Sequence, residues 1–201
     1  MPAPARDARI PTLRVGALHA ARAAMTEPKG KNAIRVPAAQ VLRSPVHLLA
    51  FWFGSGLSPK GPGTAGTVAA IPLWLLLRWW SPSLPVYLGL LVVLFVFGCW
   101  VCGESAKRLG VHDYGGIVFD EVVGLLITCV PLLPALGWVR GREGWWLLAA
   151  FLLFRLFDIW KPWPIAWFDR RVEGGFGIML DDVLAAIYAG LLLGLGLRYF
   201  W

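Results

Sequence analysis

The sequence predicts an all-α membrane bundle of about four to five apolar helices, some of them only partly immersed. Three observations carry that prediction. Apolar residues make up 58% of the 201 residues, and mean hydropathy is +0.64, high for a water-soluble globule. Twelve Trp and eleven Phe are present, and Trp favours the membrane–water interface. Five apolar stretches follow one another, divided by turn residues and without any internal repeat.

Residues 1–44 are rich in Ala, Pro and Arg and show no sustained apolar period. They read as a mobile basic leader, within which Met25 is an alternative start. No apolar core of signal-peptide length lies there, and its prolines spoil an amphipathic targeting helix. Residues 45–201 form the single remaining domain. Its apolar stretches are 66–80, 84–102, 117–139, 145–160 and 183–201. Crossing a hydrocarbon core of about 30 Å takes about 20 helical residues. The second and fifth stretches meet that length. The first and fourth are short, and the third carries Asp120 and Glu121 near its start. Ser81-Pro82-Ser83, the Gly141/Gly144 pair and Lys161-Pro162 supply the breaks.

Short connections reverse the chain at each step, so alternate loops share a side. With the Arg-rich leader in the cytoplasm, loops 103–116 and 161–180 lie there too, with Lys107, Arg108, Lys161, Arg170 and Arg171. Arg78, Arg140, Arg142 and Arg198 fall on the opposite side, which agrees with the positive-inside bias. The same arrangement brings Asp120/Glu121, Asp158 and Asp181/Asp182 to one membrane face.

The formal charge of +7 is concentrated towards the N-terminus. No zinc-finger spacing, RNA-binding signature or long basic helix accompanies it, so a nucleic-acid partner is not expected. Cys99, Cys102 and Cys129 lie in or beside apolar runs and read as reduced thiols rather than a disulfide framework.

Acids in apolar surroundings are costly unless paired, hydrated or metal-bound. Asp120-Glu121 is expected to open one helix, with Gly124 leaving space one turn on, and Asp181-Asp182 to open another. Helix-dipole stabilisation alone accounts for one such pair. Two pairs and Asp158 on one face point instead to a magnesium centre of hard carboxylate oxygens. Arg155, Asp158 and Lys161, spaced three apart, form one helical stripe suited either to a local ion-pair ladder or to a phosphate clamp. The glycine-rich stretch 54–67, with Ser58 and Thr64, ends at a helix start. It can cradle a phosphate on backbone N–H groups or serve as a plain turn-rich linker.

The nucleophile motifs of cysteine and aspartate phosphatases fit poorly. Cys102 to Arg108 spells C-x5-R, but Glu104 sits inside it and no strand precedes it. An Asp-x-Asp nucleophile motif is absent. His112 beside Asp113 is either an acid–base pair or an ordinary loop histidine.

The segments Phe53-Gly-Ser-Gly-Leu-Ser-Pro, Pro62-Gly-Thr64 and Val118-Phe-Asp120-Glu121 with Gly124 resemble the phosphatidylglycerophosphatase A family. So do Arg155-x-x-Asp158-x-x-Lys161-Pro-x-Pro164, Asp169-Arg170, Gly174-Gly175-x-Gly177-Ile-Met and Asp181-Asp182. The blocks keep their order from about residue 47 onward.

The resemblance implies magnesium-dependent hydrolysis of phosphatidylglycerophosphate to phosphatidylglycerol and phosphate, at the cytoplasmic face of a bacterial inner membrane. It implies Asp120, Glu121, Asp158, Asp181 and Asp182 as ligands of Mg2+. Asp120, Asp158 and Lys161 would be catalytic, and Arg155, Lys161, Ser58 and Thr64 would hold the substrate. Water and a carboxylate such as Asp120 both remain open as the nucleophile. The competing class is a small transporter or non-enzymatic membrane subunit using the acids for ions, although transport favours charges at the bilayer midplane. A CDP-alcohol phosphotransferase lacks support, because its Asp-Gly-x-x-Ala-Arg pattern is missing.

Overall fold

Proline and glycine set most helix boundaries. The computed structural model describes residues 36–199 apart from 112, 113, 138, 140 and 141. Most of the basic leader, Met25 and the His112–Asp113 pair therefore lie outside the described residues.

Two short helices come first, α1 (Ala38–Arg43) and α2 (Pro45–Ala50). Val41 of α1 is buried, so the folded body begins before residue 45, inside the stretch read as leader. A 3-10 segment, Trp52–Leu57, leads to α3 (Pro62–Trp80), where Pro62 supplies the fixed φ favoured in a first turn. Next come α4 (Leu84–Leu109), α5 (Phe119–Thr128), α6 (Glu143–Trp160), the short α7 (Ile165–Asp169) and α8 (Gly174–Tyr199). Among the described residues every regular element is helical, so the fold is all-α.

Three boundaries differ from expectation. Stretch 117–139 is not one helix: α5 stops at Thr128 and two 3-10 turns follow, Val130–Leu132 and Pro134–Leu136. Pro131 and Pro134 lack the N–H that would continue the ladder. The hydroxyl of buried Tyr87 donates to the Leu126 carbonyl at 2.8 Å, satisfying one of the groups orphaned there. Helix α4 runs on to Leu109, so Lys107 and Arg108 sit in its last turn rather than in a loop. Asp181 and Asp182 do not open a helix, because α8 starts at Gly174 and places them two turns inside it.

Helix α8 is the hub and packs against α4, α5, α6 and α7. Trp74, Tyr87, Leu125, Phe154, Ala185 and Leu193 belong to the larger core cluster; Phe51, Val101, Phe119 and Met179 belong to the smaller. A Cβ on Gly124 would lie 2.5 Å from the Phe154 ring. The space that glycine leaves is thus taken up by α6. Helix α2 docks on α4 through His47, whose Nδ1 lies 2.8 Å from Ser105 Oγ. Burial and nearby Arg108 push the His47 pKa down, favouring the neutral ring.

An ion pair between Arg78 and Glu143 ties the end of α3 to the start of α6. The end of α6 therefore returns to the level at which α3 begins. Helices α4 and α8 are long and apolar enough to cross a membrane. On α4, Val92, Val93 and Val96 each keep over 60% of their surface exposed, an arrangement suited to lipid. Exposed Trp79, Trp80 and Trp145 ring one end of α3 and α6, and exposed Trp160, Trp163 and Trp167 ring the other. The molecule is membrane-associated by these features.

Candidate active site

Four segments meet at one end of the bundle. Helix α5 contributes Asp120 and Glu121 in its first turn, where negative charge suits the dipole. Helix α6 contributes Arg155 and Asp158 near its C-terminus, where the dipole disfavours a carboxylate. The Arg155 guanidinium offsets this, with Nη1 2.5 Å from Asp158 Oδ2 and 3.7 Å from Glu121 Oε1. Helix α8 contributes Asp181 and Asp182, both buried in a helix interior where no capping role exists.

One carboxylate oxygen from each of Asp120, Glu121 and Asp182 lies within 4.8 Å of the other two. Two such charges repel by about 3 kcal/mol at an effective dielectric of about 20. Asp158 adds to the negative field felt by Glu121 and Asp182. Glu121 Oε2 and Asp182 Oδ2 are buried without a hydrogen-bond partner. An oxygen-only donor set with two orphaned buried oxygens fits a small hard dication such as Mg2+.

Lys161 departs from the expected stripe. It caps α6 in the left-handed region, φ 45°, a rare conformation for a residue with a Cβ. Its ammonium turns from Asp158 to α7 and α8, pairing with Asp169 Oδ1 at 2.7 Å and with Asp181. Burial alone would lower its pKa, but Asp181 and Asp169 outweigh that and hold it above the ordinary lysine value. Lys161 therefore stays cationic at neutral pH.

The start of α3 completes this end. A Cβ on Gly63 would collide with Glu121 Oε1 and crowd Arg155 Nη1, so the helix backbone lies directly against both. No side chain caps α3, and the N–H groups of Gly63 and Thr64 make none of its opening hydrogen bonds. Thr64 is exposed in this first turn, next to the cluster. Ser58 is spent locally, its hydroxyl donating to the Lys60 carbonyl at 2.9 Å.

Comparison with known proteins then decides the family: the model of phosphatidylglycerophosphatase A matches residues 48–197. The chain belongs to the phosphatidylglycerophosphatase A family. The phosphatidylglycerophosphatase A of Escherichia coli strain K12 is 48% identical over 159 residues, covering 77% of this chain and 86% of the relative. That of Haemophilus influenzae is 47% identical over 152 residues, covering 74% and 86%. A Bacteroides thetaiotaomicron relative, named provisionally as a phosphatidylinositol-3-phosphatase, is 41% identical over 152 residues, covering 73% and 89%. No solved structure matches the chain.

Within this family member, two participants escaped the sequence reading. Asp169 grips Lys161 across eight residues, and Gly63 brings α3 against the acids. Gly63 lies within Pro62-Gly-Thr64 and Asp169 opens Asp169-Arg170. Neither had a local spacing that assigned its contact.

Proposed function

We propose that the chain removes the terminal phosphate of phosphatidylglycerophosphate in a magnesium-dependent hydrolysis at the membrane surface. The observation that carries the reading is the meeting of Asp120, Glu121 and Asp182 with two orphaned oxygens between them. The names of the Escherichia coli and Haemophilus influenzae relatives supply the substrate.

In this reading Asp120, Glu121 and Asp182 hold the ion, with Asp158 and Asp181 extending the negative shell. A bound Mg2+ supplies charge neutralisation at phosphate oxygens and polarisation of an attacking water. The protein's own groups do the positioning. The N–H groups of Gly63 and Thr64 lie in the uncapped first turn of α3, an arrangement that attracts phosphate. Arg155, anchored by Asp158, and Lys161, anchored by Asp169, place positive charge where the phosphoryl group gains negative charge in the transition state. Phosphate release from phosphatidylglycerophosphate by the purified protein in detergent tests the substrate. Turnover should exceed that on phosphatidylinositol 3-phosphate, and the reverse order would assign the chain to the other headgroup.

The same reading places the chain in a bacterial inner membrane, multi-pass, with the acidic end cytoplasmic. Support comes from Lys107, Arg108, Arg170 and Arg171 at that end, against Arg78, Arg142 and Arg198 at the other. In a variant with the native cysteines replaced, a membrane-impermeant maleimide added outside should label Ser83→Cys and spare Arg171→Cys. Labelling of Arg171→Cys in sealed cells would reverse the orientation.

A further inference from the structure

Lys161 holds two carboxylates where one would neutralise it. Its ammonium lies between Asp181 of α8 and Asp169 of α7, at 2.7 Å from Asp169 Oδ1. One acid balances one ammonium. The second adds negative charge at an end of the bundle already crowded with acids, which is unfavourable unless that acid has a further task.

The two acids differ in their setting. Asp181 is buried inside α8 and supplies a fixed counter-charge from the packed hub. Asp169 ends α7 and keeps 35% of its side chain exposed. A helix of five residues does not hold itself in water. This one is pinned by Ile165, fully buried in the larger core cluster with Phe154 and Ala185. The chain after Lys161 thereby folds back and brings one carboxylate to the ammonium across eight residues. The partner that helical spacing would offer, Asp158, is already held by Arg155. A lysine ammonium rides on a flexible four-carbon stem, and a single carboxylate leaves it free to swing. Two carboxylates from different helices fix it from two sides.

We infer that Asp169 is a positioning residue, and that α7 is the bracket that carries it. It holds the Lys161 ammonium in place before the phosphoryl group gains negative charge, so that the charge needs no rearrangement in the transition state. The inference deepens the lipid-phosphatase reading above and rests on it. Asp169 is not one of the three acids that could share an ion, so its effect runs through Lys161 rather than through the metal.

Asp169→Asn tests this, since the amide keeps the side chain's shape and removes its charge. In detergent, kcat for phosphate release from phosphatidylglycerophosphate should fall about tenfold. That is less than the roughly 10²-fold of a 1 Å misplacement, because Asp181 still holds one side. KM should stay unchanged, since a contact made only in the transition state lowers kcat and kcat/KM alike. Two further readouts separate positioning from a merely structural role. Binding of Mn2+ alone, followed by electron paramagnetic resonance, should match that of the unaltered protein. Acylation of Lys161 by an amine-reactive ester, read by mass spectrometry, should quicken severalfold while Lys60 and Lys107 react as before. Loss of Asp169 removes one of the two carboxylates that raise the Lys161 pKa, so more free amine is present.

An unchanged kcat, a weakened Mn2+ affinity or an unchanged Lys161 acylation rate overturns the inference and leaves the phosphatase reading intact. Faster acylation at all three lysines also overturns it, because the substitution has then loosened the fold as a whole. If the unaltered protein releases no phosphate from the lipid, the phosphatase reading falls and this inference falls with it.

Discussion

Asp182→Asn should lower kcat for phosphate release by on the order of 10³-fold, the scale of losing a preorganised charge-stabilising group. The substitution is nearly isosteric, and the residue is only 3% exposed, so the helix keeps its packing. Asp182 lies two turns inside α8 and so contributes nothing as a cap. Without an ion it shares a confined space with Asp120 and Glu121, and removing one negative charge relieves repulsion. Two readouts should therefore move in opposite directions. Activity collapses, while the melting temperature of metal-free protein holds or rises. Asp120→Asn should repeat the pattern with a smaller stability gain, since Asp120 also accepts from the Glu121 N–H at 3.0 Å. Near-normal turnover in both variants would remove the shared centre.

Chelation of magnesium should abolish turnover, and restoring Mg2+ should recover it, whereas Cys102→Ser should leave most activity in place. The pair matters because Cys102 and Arg108 spell the phosphate loop of cysteine phosphatases. Such enzymes activate a thiolate in an electropositive loop or at a helix N-terminus. Cys102 is fully buried in the interior of α4, among the core residues Val101, Phe119 and Met179. Arg108 is committed elsewhere, its Nε donating to Glu104 at 2.7 Å. A serine fits the site with little change of volume. A dead Cys102→Ser protein, together with activity that survives chelation, would favour the thiol mechanism.

How far the sequence could be read followed the range of each interaction. Arg155 and Asp158 were legible as partners because a spacing of three on a helix brings side chains together. Asp120-Glu121 was legible as a helix start because acids favour a first turn. Helix α8 was misjudged at its beginning, where Gly174, Gly175 and Gly177 have the propensity of a breaker. Packing overrides that propensity: a Cβ on Gly175 would collide with the Cys99 carbonyl and the Gly103 backbone of α4. Gly175 serves a helix crossing rather than a loop. The early end of α5 was hidden by an apolar run that continues past it, although Pro131 and Pro134 marked the stop. Lys161's choice of Asp169 and Asp181 over Asp158 depends on a left-handed turn that no periodicity reveals.

The distribution of the acids along the chain also sets an order of events during synthesis. Domains emerge from the ribosome N-terminus first. Gly63 and its helix start come out early, Asp120 and Glu121 near the middle, and Arg155 and Asp158 later still. Asp182, the third carboxylate of the tight cluster, arrives only with α8, which also supplies Asp181 as a partner for Lys161. A nascent chain that has laid down its earlier helices therefore lacks the third carboxylate of the cluster, and Lys161 lacks its Asp181 partner. The arrival of the hub helix finishes the packing and completes the charge set in one step.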